Sequence, residues 1–216
     1  MTDFTTITAC GECCVGCSKK KDGSCPGCIE SDGRVPEIIK HLSALRDEYI
    51  CSSLSGKYTV RRLSEADIPT VLSLCEKNTL YYQYCPPFVS EQSIHDDMNA
   101  LPPGKTMTDK YYVGYYDKDR LIAVMDLIMA FPDKTTAFIG FFTTEANTQR
   151  KGLGSALVTE LCNAMSGIGI KEVRLGWVKG NPQAEHFWKK NGFAETGATN
   201  ETDKYTVVVA RRDLQK

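Results

Sequence analysis

The chain has 216 residues and a formal net charge of -1, from 26 basic and 27 acidic side chains. This balance argues against a nucleic-acid-binding protein whose affinity rests on a broad basic face. No apolar run approaches the roughly 20 residues that span a bilayer. Met1-Thr2-Asp3-Phe4 lacks the basic and apolar regions of a signal peptide, so we expect a cytoplasmic protein without a membrane partner.

Cysteines are concentrated near the N-terminus, where six of the ten lie between Cys10 and Cys28. In a cytoplasmic chain such a cluster is more typical of a metal site than of a disulfide framework. Residues 1–35 are also poor in large apolar side chains. They are therefore predicted to form a small module that needs a metal or a partner surface to fold.

The cysteine spacing favours zinc as the metal of this module. Two Cys-X2-Cys pairs, Cys14 with Cys17 and Cys25 with Cys28, can supply the four thiolates of a closed tetrahedral site. We therefore predict a structural zinc ion held by these four residues.

Spare cysteines leave the ligand set open. Cys10 can pair with Cys13 or with Cys14 at metal-binding spacing, and an iron–sulfur cluster that uses Cys10 or Cys51 is an alternative to zinc. Unliganded thiols are the third alternative. The segments Cys10–Cys17 and Cys25–Cys28 resemble small, uncharacterised Cys-rich domains of bacteria and archaea, and this resemblance implies no particular activity.

Residues 36–57 are predicted to be a short amphipathic helix, up to about residue 50, followed by the linker Ser52–Gly56. Pro36 suits the first turn of such a helix. From residue 58 to 216 the pattern is that of one α/β domain. Its strands are predicted at Tyr58–Arg62, Tyr111–Tyr116, Arg120–Ala130, Thr135–Thr143, Glu172–Val178 and Lys204–Ala210, and its helices at Ser64–Asn78, Ser90–Ala100, Gly152–Ser166 and Pro182–Lys190.

A glycine-containing turn lies between a predicted strand and the helix that starts near Gly152. Helix N-termini present free N–H groups and a partial positive charge, and glycines let an anion approach the backbone closely. Gln149, Arg150 and Lys151 add donors or charge beside Gly152 and Gly154. The turn is therefore a candidate pyrophosphate site, although a simple capped turn would show the same pattern.

Two segments together resemble the GNAT N-acetyltransferase superfamily. The Gln/Arg-X-X-Gly-X-Gly/Ala signature of that family is similar to Gln149-Arg150-Lys151-Gly152-Leu153-Gly154, and its Asn-X-X-Ala-X-X-Phe-Tyr-X-Lys-X-Gly-Phe signature is similar to Asn181–Phe193. The resemblance covers residues 58–210. It implies an α+β (α/β) fold with a mixed, mostly antiparallel, splayed sheet flanked by helices, and an enzyme that moves an acetyl group from acetyl-CoA to a primary amine of a small-molecule or protein acceptor.

The resemblance also implies a mode of cofactor binding. The pantetheine arm would bond to the backbone of Phe142, Thr143 and Thr144, as an added strand does. The pyrophosphate would meet the N–H groups of Lys151, Gly152, Leu153, Gly154 and Ser155, with Gln149 and Arg150 beside them. Asn181 and Trp188 of the second signature complete the expected cofactor site.

The catalytic groups are less clear, because Trp188 stands where many family members have a tyrosine general acid. An indole N–H donates a hydrogen bond but does not release its proton at neutral pH. Another group, such as a water, Tyr205 or a tyrosine among Tyr81, Tyr82 and Tyr84, would serve, or the thiolate leaves unaided. For the general base we select Glu145 acting through water. Asp126 is an alternative if it faces a cleft rather than solvent.

The missing tyrosine supports a second hypothesis: a CoA-binding regulatory or adaptor protein without turnover that uses the zinc module to hold a partner. The sequence names neither the acceptor nor the oligomeric state.

Overall fold

The computed structural model describes residues 34–215, with side chains from Leu42 onward. The chain divides into two compact units whose boundary lies between Tyr49 and Ile50, inside helix α1 (Arg34–Ser53). The predicted helix is therefore confirmed and extends further at both ends. The predicted domain boundaries after residues 35 and 57 remain predictions.

The second unit alternates strands and helices as follows. Its elements are β1 (Thr59–Arg62), a 3-10 turn (Glu65–Asp67), α2 (Ile68–Cys75), α3 (Thr79–Tyr84), α4 (Glu91–Asn99), β2 (Lys110–Asp117), β3 (Arg120–Met129), β4 (Thr136–Thr144), a 3-10 turn (Ala146–Thr148), α5 (Leu153–Gly167), β5 (Glu172–Val178), α6 (Pro182–Lys190), β6 (Ala194–Glu201) and β7 (Thr206–Asp213). Within the described residues no helix is long and apolar enough to cross a membrane.

The seven strands between residues 59 and 213 form one sheet in the order β1-β2-β3-β4-β5-β7-β6. The β4–β5 pair is parallel, and the neighbouring pairs on both sides of it are antiparallel. This confirms the expected mixed, mostly antiparallel sheet with flanking helices. A parallel pair requires a crossover connection, and α5 supplies it.

The sheet separates two apolar layers, because successive side chains of a strand point to opposite faces. On one face, α5 and α6 cover a core that includes Met125, Leu157 and Leu175. On the other face, α2 and α4 cover a smaller core that includes Val124 and Ile94. The strand β3 is buried on both faces over most of its length, which explains its continuous apolar sequence.

Most predicted elements are confirmed within a few residues, and three differ. The helix expected over Ser64–Asn78 is a 3-10 turn followed by the shorter α2, whose first turn contains Pro69. The segment Thr79–Tyr84, for which no element was predicted, forms α3. The strand β6 was not predicted, because all its residues are exposed and their sequence shows no apolar alternation.

Local capping follows the sequence closely. The Ser90 side chain accepts the backbone N–H of Ser93 at the start of α4, and the Asn181 side chain accepts the N–H of Ala184 at the start of α6. Both residues satisfy donors that a helix leaves free at its N-terminus.

Candidate functional site

The strands β4 and β5 separate halfway along their length. They pair only from Thr136 with Glu172 to Ile139 with Leu175. Opposite this point the register between β3 and β4 shifts, and Gly140 is the extra residue, as in a β-bulge. Residues 140–144 of β4 therefore border a gap rather than a neighbouring strand, which matches the splayed sheet that was expected.

Two residues of β4 direct their backbone groups into this gap. The N–H of Glu145 donates to the carbonyl of Ile122 at 2.8 Å, and residues along a strand alternate in the side to which their polar groups point. Thr143 consequently faces β3, whereas Phe142 and Thr144 face the gap. The available groups are the N–H and carbonyl of Phe142 and the N–H of Thr144.

The carbonyl of Thr144 is already bonded. It accepts Nδ2 of Asn78 at 3.2 Å and Nε2 of Gln149 at 3.3 Å. The two amides also bond to each other, with Gln149 as donor. Asn78 further donates to the carbonyl of Leu74 at 3.0 Å. These contacts fix the end of β4, the end of α2 and the glycine turn relative to one another.

The turn before α5 has the geometry of an anion cradle. Gly152 adopts a φ of 88° and caps the helix, a left-handed conformation that glycine alone adopts readily. The first intrahelical acceptor is the carbonyl of Gly152, bonded by Ala156. Among the described residues, none accepts a hydrogen bond from the N–H groups of Leu153, Gly154 or Ser155.

The side chains around this turn leave the cradle open. Arg150 and Lys151 are exposed, and no ion pair within residues 42–215 involves either of them. A Cβ atom on Gly154 would lie 3.1 Å from the ring of Phe187. A larger residue at position 154 would therefore press on Phe187, because α6 packs closely against the start of α5.

An aromatic cluster lies beside the gap. Trp188, 7% exposed, contacts Phe142, Phe187 and Phe193 with ring centroids 6.0, 4.9 and 5.2 Å apart. Such edge and tilted arrangements are the favoured geometries of aromatic pairs. Trp188 therefore packs α6 against β4, in agreement with the inference that it is not an acid catalyst.

A cavity of about 540 Å³ opens where the gap begins. Gly140 and Phe141 of β4 contribute to its wall, together with Tyr205, which precedes β7 and thus lies past the splayed end of β5. The remaining wall comes from α2 to α4, β2 and β3. It includes Cys75, Tyr81, Tyr82, Cys85, Asp97, Tyr112 and Asp126, and Phe138 of β4 also lines the cavity.

Asp126 faces this cavity and is paired within it. The residue is 9% exposed, and its Oδ2 accepts a hydrogen bond from Nζ of Lys110 at 2.8 Å. Lys110 also donates to the carbonyl of Ala100 at 3.0 Å. A Cβ atom on Gly140 would lie 2.5 Å from Oδ2, so the glycine at the bulge leaves space for the carboxylate. Burial raises the pKa of Asp126, and Lys110 opposes that rise.

Asp97 is a second carboxylate of the cavity wall. It is accessible to solvent, in contrast to Asp126. Its surroundings nevertheless raise its pKa from 3.8 to about 6, mainly through desolvation and then through repulsion by Asp126. Asp97 therefore carries its charge only above mildly acidic pH.

Tyr205 is held by a thiol. Sγ of Cys85 donates to the phenol oxygen of Tyr205 at 3.3 Å, which leaves the phenol hydrogen free to donate. The neighbouring Cys85 sulfur and desolvation raise the pKa of Tyr205 to about 12. The phenol consequently remains protonated at physiological pH.

These features agree with a known family of enzymes. Residues 76–193 match the model of the Acetyltransferase (GNAT) family, which is more than half of the chain. The chain belongs to this family. It is thus an N-acetyltransferase that uses acetyl-CoA, with an acceptor that the match does not identify.

Solved structures show the same GNAT fold. An acetyltransferase from Thermus thermophilus aligns with a TM-score of 0.58 and 13% identity, over 73% of this chain and 97% of that one. The ribosomal-protein-S18-alanine N-acetyltransferase of Escherichia coli gives 0.52 and 16%, over 74% and 95%. Spermidine N-acetyltransferase of Vibrio cholerae, in complex with CoA and spermine, gives 0.55 and 19%, over 75% and 98%. No curated protein sequence matches the chain.

The GNAT structure also locates Glu145, the base selected from the sequence. Its carboxylate lies 3.6 Å from Arg120 and borders a second cavity of about 600 Å³ that Lys77 also lines. This cavity shares no lining residue with the one that contains Asp97 and Asp126. Glu145 as the base stays a prediction.

The predicted zinc ligands Cys14, Cys17, Cys25 and Cys28, with the alternatives Cys10 and Cys13, lie outside the described residues. Within the part of the GNAT chain that the structure describes, no group of three or more potential metal ligands occurs. Cys51, the remaining alternative ligand, is buried in the core of the second unit.

Four side chains of the site were not predicted as site residues from the sequence: Asn78, Cys85, Asp97 and Lys110. Asp126 was considered from the sequence only as a residue that faces either a cleft or solvent, and a partner on the adjacent strand can be assigned only when the register is known. Asn78 was expected merely to end a helix. Its contacts with Thr144 and Gln149 depend on segments distant in the chain.

Proposed function

We propose that this GNAT enzyme acetylates the amine of a small molecule bound in the cavity between α2–α4 and the sheet. The observation that supports this best is the gap between β4 and β5, which borders the anion cradle of α5 through residues 142–144 and the cavity through residues 140–141. A thioester placed in the gap would have the cofactor on one side and the acceptor on the other. A cavity of about 540 Å³ has the size of a small-molecule site.

For acetyl-CoA we propose two sets of backbone contacts. The pantetheine amides bond to Phe142 and Thr144, whose groups point into the gap, whereas Thr143 serves the β3–β4 ladder. The pyrophosphate occupies the cradle of Lys151, Gly152, Leu153, Gly154 and Ser155 N–H groups, with Arg150 adding charge. In this arrangement Gln149 and Asn181 position the backbone, since both side chains bond to protein groups, and Trp188 packs beneath Phe142.

The reaction we propose is direct transfer. The neutral amine nitrogen attacks the thioester carbon, and the N–C bond forms while the C–S bond breaks. The N–H of Thr144 stabilises the developing oxyanion. The amine gives up one proton, through water to Glu145 in the mechanism inferred from the sequence. The departing thiolate takes a proton from Tyr205, which the pKa of about 12 keeps protonated until the transfer.

The cradle is tested by Gly152→Val. A Cβ at this left-handed position would meet no protein atom within 4 Å. A valine there would therefore fill open space beside the turn, which is the space that the proposed pyrophosphate occupies. Losing two charge-assisted hydrogen bonds weakens binding by roughly 100-fold or more. We expect that loss in the acetyl-CoA dissociation constant measured by calorimetry.

Gly169→Val is the matched control for this change. Gly169 follows the opposite end of α5 with a φ of 87° and an equally open Cβ position, so it imposes the same backbone strain without touching the cradle. Equal acetyl-CoA affinity in Gly152→Val and the native chain would contradict the proposed cofactor site.

A CoA-binding adaptor without turnover is the second candidate function, supported by Trp188 in place of the usual tyrosine. The two functions differ in one measurement. An acetyltransferase releases the CoA thiol in proportion to acetylated amine across a panel of amines. An adaptor would bind acetyl-CoA but release no thiol with any of them.

For the N-terminal segment we propose a structural zinc ion held by Cys14, Cys17, Cys25 and Cys28. The support is their spacing, which suits a closed tetrahedral site. We expect elemental analysis of the full chain, purified without chelators, to give one zinc per chain, and Cys14→Ser with Cys17→Ser to lose it. Iron in its place, or no metal, would contradict the proposal. Cys162→Ser, a change in the other unit, is the control.

A further inference from the structure

We propose that the acceptor is a small amine that carries a second cationic group, and that Asp97 and Asp126 bind this second group while the first amine reacts at the gap. The inference rests on the proposed function and specifies its substrate. It follows from one unsatisfied buried oxygen, an excess of negative charge and an aromatic wall within the same cavity.

Asp126 has an oxygen that lacks a partner. Oδ2 is bonded to Lys110, but among the described residues none hydrogen-bonds Oδ1, although this atom is buried. The residue is 9% exposed and lines the cavity. A buried carboxylate oxygen without a donor is costly in free energy. A ligand ammonium in the cavity would supply the missing donor.

The charge of the cavity favours a cation. Asp97, with a pKa of about 6, carries a negative charge at neutral pH, whereas Asp126 is paired with Lys110. Of the described residues that line the cavity, none is a lysine, an arginine or a histidine. The two carboxylates are close enough to interact, since Asp126 contributes to the raised pKa of Asp97. One uncompensated charge therefore remains for a ligand.

The aromatic wall fits the same ligand. Tyr81 packs edge-on against Tyr82 at 5.0 Å and against Phe141 at 5.7 Å between ring centroids, and Tyr112 lies beside Asp126 across the β2–β3 ladder. Aromatic faces attract alkylammonium groups and pack well against methylene chains. Two charged ends linked by an aliphatic chain match carboxylates and rings in one cavity.

The position of Phe141 and Gly140 separates the two ends of the acceptor. The thioester is proposed to lie beside residues 142–144 of the gap, whereas Asp126 lies beside Gly140 at the other end of the gap and Asp97 is on α4. A linear diamine can therefore place one nitrogen at the gap and the other at the carboxylates. A monoamine of equal length would leave Asp97 and Oδ1 of Asp126 without a cation.

The experiment compares 1,4-diaminobutane with 1-aminopentane, in which a methyl group replaces the second amine. In the native enzyme at pH 8 we expect kcat/KM to favour the diamine by about 10-fold to 100-fold, the usual effect of one charge-assisted contact. In Asp97→Asn the preference should fall to within a few fold of unity. Asp96→Asn is the matched control, because Asp96 is the preceding residue of α4 and its side chain is 66% exposed.

A binding measurement separates this inference from the proposed function. Calorimetric titration of 1,4-diaminobutane into enzyme saturated with CoA requires no turnover, and we expect binding in the native chain and in Asp96→Asn but at least about tenfold weaker binding in Asp97→Asn. Equal affinity in native enzyme and Asp97→Asn would overturn the inference, as would an equal loss of kcat/KM for both amines. Thiol release absent for all amines, with CoA still bound, would instead contradict the proposed acetyl transfer.

Discussion

At the scale of single residues, the proton donor is the feature that departs from the family signature. Trp188 fills the expected position and lies in the aromatic cluster. Tyr205 lies on the cavity wall with a phenol hydrogen left free by Cys85. In the proposed mechanism Tyr205, which precedes β7, supplies the proton that the usual helix position cannot supply, because catalysis depends on where the proton is and not on which element carries it.

Tyr205→Phe tests whether Tyr205 is the proton donor. We expect kcat to fall by about 10-fold to 100-fold, since a positioned acid commonly contributes a factor of that order or more, while the acetyl-CoA dissociation constant changes little. Because the pKa of Tyr205 is about 12, the native enzyme should show no loss of activity from its ionisation below pH 10. Tyr84→Phe, a change on α3 away from the cavity wall, should leave kcat unaltered. Unchanged kcat in Tyr205→Phe would exclude it as the acid.

At the scale of secondary-structure elements, the site depends on where two strands stop pairing. The glycine bulge at Gly140 ends the β4–β5 ladder, and Asn78 and Gln149 then bind the carbonyl of Thr144. Those amides satisfy a polar group that the missing strand would otherwise satisfy. They also connect α2 and the glycine turn to the end of β4, so the proposed cofactor site and the helices that wall the cavity are held together.

Asn78→Ala tests this connection. The change removes hydrogen bonds to Leu74, Thr144 and Gln149 in a buried position. We expect the free energy of unfolding to fall by about 1–3 kcal/mol, measured by urea denaturation, together with weaker acetyl-CoA binding because the turn is less well fixed. Asn99→Ala removes a bond to the His95 carbonyl on the exposed side of α4 and should have little effect on either quantity. Loss of stability with native cofactor affinity would show that the network supports the fold alone.

At the scale of the whole molecule, a carboxylate that we propose for ligand binding, Asp97, makes the folded protein less stable when it is ionised. Asp97 has a pKa of about 6 in the folded protein against 3.8 ordinarily. The folded state therefore binds the proton more tightly than the unfolded state does. The stability that this preference contributes is fully present below pH 4 and is lost as the pH rises through 6.

Asp97→Asn should consequently stabilise the protein at pH 7.5 and not at pH 4. Desolvation is the largest cause of the raised pKa of Asp97; Asp126 and Asp96 also oppose its ionisation, and Lys110 favours it. Because Asp97 is accessible to solvent, screening limits the gain to about 1 kcal/mol or less. Urea denaturation at both pH values provides the measurement. A gain of equal size at pH 4 and pH 7.5 would show that the charge of Asp97 is not its cause.

Much of the fold could be predicted from the sequence because its signals are local. Ser90 and Asn181 cap helices through contacts within three residues, and the turn at Asp117–Asp119 joins β2 to β3 as expected. The helix Ser64–Asn78 was predicted too long because Pro69 is tolerated in a first helical turn and does not reveal where the 3-10 turn ends. The exposed β6 showed no periodicity, since neither face of it contributes to a core.

The sequence by itself determined the family, the glycine turn before α5 and the inability of Trp188 to act as an acid, because motif spacing and side-chain chemistry are properties of the chain. The tertiary structure alone decided which atoms meet. The backbone groups of Phe142 and Thr144, rather than those of Thr143, point into the gap. Asp126 is paired with Lys110. Asp97 and Tyr205, which are 108 residues apart along the chain, line one cavity. Strand register and packing create those contacts, and neither is a local property of the sequence.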